Sequence, residues 1–135
     1  GSPGLALALA ESGQSAWLEL LASRLGSGRA TDPLAMAAEL EKAVKDSKGK
    51  LQLKQVVEAF QKWLVDLTLA RNGLPIRYFL AQQATISGLA DMIPPARLIQ
   101  SYRVAISRRQ EAEQPLNARL FLEGLFLDYR ALFAN

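Results

Sequence analysis

Apolar residues recur at helical spacing through most of this chain. No stretch alternates apolar and polar positions with the β-branched enrichment of a strand, so the pattern predicts an all-α fold. The last segment, as a helix, carries more apolar surface than one small domain needs. Asn117 fits an N-cap, with Leu116 and Phe121 in the staple positions around it, and a helix from there at about 100° per residue sorts its side chains onto two arcs. Phe121, Leu122, Leu125, Phe126, Tyr129, Leu132 and Phe133 form a broad arc, the expected core face. Leu120, Gly124, Leu127 and Ala131 form a narrower one, set apart by Glu123 and Arg130 on one side and Asp128 on the other. A helix with two apolar fronts packs on both. The second front is therefore covered either by a sister helix of the same domain or by another subunit.

Upstream, Leu5 to Ala10 reads as a short helix with Ser2 and Pro3 at its start and Ser12-Gly13 at its end. Ser15 to Leu25 follows, buried through Trp17, Leu20, Leu21 and Leu25 and stopped by Gly26-Ser27-Gly28. Asp32-Pro33 opens a helix with apolar positions Leu34, Ala37, Ala38, Leu40 and Val44, which runs out in Asp46-Ser47-Lys48-Gly49-Lys50. From Leu51 to Arg71, one face is marked by Leu53, Val56, Val57, Phe60, Trp63, Leu64 and Leu67, and Asn72-Gly73-Leu74-Pro75 ends it. Ile76 to Leu80 reads as a turn or 3₁₀ piece, and Gln82 to Met92 as a helix halted at Pro94-Pro95. Pro95 starts the next helix, with an apolar arc of Leu98, Ile99, Tyr102, Ala105 and Ile106, which extends to the neighbourhood of Glu113 before Gln114-Pro115 forces a turn. The sum is a compact bundle of about six or seven helices with short connections and no internal repeat.

A chain of 135 residues can bury roughly two thirds of its unfolded surface, which suits one self-sufficient domain with room for a small appendage. Cysteine and histidine are both absent. That removes disulfides, Cys/His zinc sites, cysteine nucleophiles and Ser-His-Asp catalysis. There is no phosphate-binding glycine loop, and the carboxylates Glu39 and Glu41 point to different sides of their helix, so no catalytic residue, cofactor site or metal-ligand set is assigned. No apolar run approaches membrane-spanning length, and Leu5 to Ala10 lacks the flanks of a signal peptide.

The net charge of +3 is mild, and the bases do not gather into one stripe. Arg97 and Arg108 share a face of their helix while Arg103 and Arg109 project elsewhere, and all four read as solvated or snorkelling side chains. Lys42, Lys45, Lys48, Lys50 and Lys54 read as a solvated loop more readily than as a polyanion site, and Trp17 and Trp63 as core more readily than as interface anchors. A helical nucleic-acid-binding module stays open as the alternative function, and it requires arginine and lysine concentrated on one face of the folded domain.

Three segments carry a family likeness. Gly1-Ser2-Pro3-Gly4-Leu5-Ala6-Leu7-Ala8-Leu9 looks like the start of the last helix of an AAA+ lid domain. Trp63-Leu64-Val65-Asp66-Leu67 through Asn72-Gly73 fits a long collar helix, and Glu113-Gln114-Pro115-Leu116-Asn117-Ala118-Arg119-Leu120-Phe121-Leu122-Glu123-Gly124-Leu125 is similar to a final collar helix. In this order the chain resembles the delta-prime subunits of the bacterial DNA polymerase III clamp loader. The resemblance implies that residues 1–12 end the lid, that 13–135 form the C-terminal collar domain, and that the nucleotide-fold domains lie upstream. It also implies a non-catalytic piece without cofactor, substrate or membrane contact, working in the bacterial cytoplasm. Its partners would be gamma/tau-type and delta-type subunits met through their collar domains, with DNA touched only indirectly or weakly. In the ATP-hydrolysing relatives a Gly-Ser-x-Arg pattern supplies a phosphate-sensing arginine; Gly4 stands at that position here, and glycine cannot make the contact. On this likeness Leu120, Glu123, Gly124, Leu127, Arg130 and Ala131 form the subunit interface, apolar residues inside and Glu123 and Arg130 at the rim.

Overall fold

Asp32 shows how local sequence sets an element. Its Oδ1 accepts from the backbone N–H of Leu34 (3.2 Å) and Ala35 (3.1 Å), and Pro33 supplies a first helical residue with no N–H to satisfy. The computed structural model describes residues 14–111 and 117–134, and everything below refers to them. They form six α-helices: α1 (Gln14–Leu25), α2 (Pro33–Asp46), α3 (Leu53–Arg71), α4 (Gln83–Ala90), α5 (Pro95–Glu111) and α6 (Ala118–Ala131), with 3₁₀ turns at Gly28–Ala30 and Leu80–Gln82. No described residue is in a strand, and the all-α bundle expected from the spacing is what is found. The expected Leu5–Ala10 helix, the boundary near residue 12, the Gln114-Pro115 turn and the Leu116 staple lie outside the described residues.

Two boundaries differ from expectation for identifiable reasons. Leu51 belongs to the connection before α3, because its N–H donates to Ser47 Oγ (2.9 Å) and closes a turn that carries Lys48 and Gly49 at positive φ. After α3, the buried carboxylate of Asp66 accepts from the N–H groups of Arg77 (2.8 Å), Tyr78 (3.1 Å) and Phe79 (2.8 Å). Three backbone donors that would otherwise need a helix or water are satisfied there. The connection consequently runs irregularly through Phe79, and the 3₁₀ turn falls at Leu80–Gln82, later than the Ile76–Leu80 expected.

α3 is the central element, with Val56, Val57, Trp63, Leu64 and Leu67 fully buried, and it packs on α4 and α5. α2 and α6 form the most extensive helix pair. Phe60 of α3 meets Phe126 and Tyr129 of α6 edge-on, with ring centroids 6.0 and 5.8 Å apart, the arrangement that ring quadrupoles favour. The Tyr129 hydroxyl accepts from the Trp63 indole N–H (3.1 Å) and donates to the Leu25 carbonyl (2.7 Å), joining α6, α3 and the end of α1. Burial pushes this hydroxyl well above its ordinary pKa, and the Trp63 N–H offsets the shift only in part.

Three expected core assignments are corrected. Leu34 is exposed rather than inward, since α2 buries Met36, Ala37 and Leu40 instead. Of the arc on α5, only Leu98 and Ala105 are buried; Ile99, Tyr102 and Ile106 are exposed, because α5 rests on α3 through its other edge, where Gln61 Nε2 donates to the Ala105 carbonyl (3.0 Å). Trp17 and Leu20 are half-buried, and the indole N–H of Trp17 is a buried donor with no partner among the described residues.

Candidate subunit interface

α6 starts where the sequence placed its cap: Asn117 Oδ1 accepts from the Leu120 N–H (3.0 Å). Every residue of its broad arc, from Phe121 to Phe133, is buried. The helix is then tied along two edges. On the α2 edge, Arg119 reaches Glu41 at 3.1 Å, and Lys45 shares that carboxylate at 3.7 Å. On the α5 edge, Arg108 holds Asp128 through two nitrogens (3.0 and 2.9 Å), and its guanidinium lies over Gly124. Arg97 donates to the carbonyls of Leu132 and Ala134 beyond the end of α6. Arg97 and Arg108 therefore pin α5 to α6 and are not merely solvated, as their spacing alone suggested.

Between these edges the narrower arc forms an open seam. Leu120 is 63% exposed and Leu127 42%, with Arg130 and Ala131 exposed beside them and Glu123 and Gly124 half-buried. All six residues expected at the interface lie on this one strip. Among the described residues no sister helix closes over Leu120 or Leu127, and the Arg108 side chain lies against the strip at Gly124. Two hollows flank its C-terminal half. One of about 430 Å³ lies between α5 and α6 over Val104, Ala131 and Leu132, and one of about 520 Å³ is lined by Arg29, Leu127, Arg130, Ala131, Phe133 and Ala134.

One further residue, Arg29, belongs to this surface and was not expected there. α2 runs antiparallel to α6, since Glu41 pairs with Arg119 at one end while Gly28 sits against Phe133 at the other. Leu34, seven residues before Glu41 on the same stripe of α2, is 55% exposed. Arg29 enters from the 3₁₀ turn. Leu34 sits among the apolar positions of its helix, so nothing local marked its exposure, and nothing local marked Arg29.

The carboxylates set aside earlier are in ion pairs. Glu39 is gripped by Arg24 through two hydrogen bonds (2.9 and 2.8 Å), which hold its carboxyl below the usual range, and Glu41 is bridged as above. The five lysines from Lys42 to Lys54 are all exposed around the α2–α3 turn. No group of His, Cys, Asp or Glu among the described residues could hold a metal ion, and no described helix is long and apolar enough to cross a membrane. The geometry defines a class: a helical bundle whose last described helix presents an apolar strip on which Leu120, Leu127 and Ala131 stay exposed. Compared with known proteins, the chain matches no family model, no curated protein and no solved structure.

Proposed function

We propose that this chain is a non-catalytic assembly domain, and more particularly the collar domain of a delta-prime-type subunit of the bacterial DNA polymerase III clamp loader. In that role it packs beside the collar domains of gamma/tau-type and delta-type subunits, supporting ATP-dependent loading of the sliding clamp in the cytoplasm. The observation that carries this reading is the apolar strip of Leu120, Gly124, Leu127 and Ala131 on α6, on which Leu120, Leu127 and Ala131 stay exposed. Covering Leu120 and Leu127 contributes about 1–2 kcal/mol each at their present exposure, a useful core for an interface that also engages Glu123 and Arg130 at its rim. The alternative of a nucleic-acid-binding module has less support. Arg24, Arg108 and Arg119 are committed to carboxylates of the same chain, and the surface next to α6 is apolar at its centre.

The test is gel filtration of the chain with purified gamma/tau-type and delta-type subunits. The wild type is expected to co-elute with them and Leu127→Asp to elute alone. Unchanged co-elution of Leu127→Asp would remove the strip from the interface, and a wild type that never co-elutes would remove the assignment itself.

A further inference from the structure

The seam carries a charge pattern as well as an apolar one. At its C-terminal end, Arg29 and Arg130 both line the 520 Å³ hollow, and neither has a carboxylate within ion-pair distance among the described residues. Arg24, Arg108 and Arg119 each have one. A basic residue in the last turn of a helix also complements the helix dipole, but the carbonyls beyond the end of α6 already receive Arg97, and Arg29 lies in a three-residue turn with no long helix to complement. That turn is fixed in place: Gly28 adopts φ +57, and a Cβ there would come within 2.6 Å of Leu89, so Arg29 is held beside the hollow by packing. Toward the other end of the strip stands Glu123, half-buried and with no ion pair among the described residues. The strip is thus basic at one end and acidic nearer the other, with Leu120 and Leu127 one heptad apart along it.

We infer that the seam receives an acidic amphipathic helix of a partner protein, laid along α6 with its apolar stripe on Leu120 and Leu127 and its carboxylates at Arg29 and Arg130. This rests on the assembly reading above and adds the chemistry and direction of the occupant. The heptad spacing of the two leucines matches the anchor spacing of a helix in a groove. The carboxylate end lies over the C-terminus of α6, because the opposite orientation places acid against Glu123 and leaves two guanidiniums unpaired. A nucleic-acid backbone also satisfies arginines, but it offers nothing for the leucines between them.

The test uses the full chain, ¹⁵N-labelled, and three probes at one ionic strength. They are a soluble designed helix with two leucines one heptad apart and two glutamates at one end, the same helix with glutamine for glutamate, and a single-stranded oligonucleotide. The acidic helix is expected to shift the amides of Arg29, Leu127, Arg130 and Ala131, and the glutamine version to bind about tenfold more weakly. The double variant Arg29→Gln with Arg130→Gln is expected to keep the wild-type melting temperature and to bind both helices equally weakly. Equal binding of the two helices by the wild type, or tighter binding of the oligonucleotide at those amides, overturns the inference. A chain that takes the acidic helix but never joins clamp-loader subunits keeps the inference and loses the assembly reading. One that joins them undisturbed by the double variant does the reverse.

Discussion

The two faces of α6 follow different rules. On the inward face each residue suits both its helix and its surroundings: apolar side chains are buried, the rings of Phe60, Phe126 and Tyr129 meet edge-on, and the one polar atom, the Tyr129 hydroxyl, both donates and accepts. On the outward face the sequence works against local preference. Gly124 puts a poor helix former in mid-helix, Leu120 takes a first-turn position that favours glutamate, and Leu127 is left 42% exposed. Natural sequences agree with their own fold at every level except where something beyond that fold makes a demand. The inward face answers to this domain, and the outward face to whatever covers it.

The largest expected effect tests the inward face. Phe126→Ala, which empties a fully buried ring site between α6 and α3, is expected to cost about 3–5 kcal/mol in denaturant unfolding; a cost below about 1 kcal/mol would mean that α6 is not an integral core helix. Tyr129→Phe is expected to cost about 2 kcal/mol, since it leaves the Trp63 indole N–H without its acceptor and the Leu25 carbonyl without that donor. It also changes the pH dependence. Burial raises the Tyr129 pKa above the ordinary 10, so below that pH both folded and unfolded chains keep the proton and stability is unaffected. Above it the unfolded chain ionises and the folded one does not, so stability falls by up to about 1.4 kcal/mol per pH unit. Tyr129→Phe is expected to remove that alkaline slope, and an identical slope in the variant would assign it to another group.

The contrast between the faces also explains what was legible in advance. Spacing located α6, its Asn117 cap and all seven buried residues of its broad arc, because a helix face is a local property of the chain. It also separated the second arc. It went astray on α5, where Leu98, Ile99, Tyr102, Ala105 and Ile106 share a face yet only Leu98 and Ala105 are buried; periodicity says which residues sit together, not how wide the neighbour is. Asp66 was hidden for a related reason. Its acceptors serve N–H groups eleven to thirteen residues away in an irregular segment, so nothing in the helical pattern distinguishes it from a solvated aspartate. Arg29 joins the seam only because α2 folds back antiparallel on α6, a long-range fact with no local trace.

The next effect is smaller and of opposite sign. A Cβ on Gly124 would meet nothing closer than Arg108 Nη1 at 3.6 Å, an ordinary contact, and the residue is in the middle of a helix. Gly124→Ala is therefore expected to stabilise the isolated chain by about 0.5–1 kcal/mol, read as a rise in melting temperature. If an outside backbone approaches this point, the same methyl weakens assembly. A lower melting temperature would show that the glycine serves the domain's own packing.

The smallest expected effect separates the faces most cleanly. With Asn117 as N-cap, Leu120 occupies the third helical position, from which a glutamate side chain can reach back to the cap and favour the helix N-terminus. Leu120→Glu is expected to raise the stability of the isolated chain by about 0.3 kcal/mol, small but resolvable in parallel denaturant titrations with a common slope. Its loss of apolar surface is expected to weaken assembly far more than that. The two results together would give the leucine an outward reason, since the helix itself would be better served by the acid. A loss of more than about 1 kcal/mol in the isolated chain would instead mean that the chain's own residues cover Leu120, and the distinction between the two faces of α6 would fail at its exposed end.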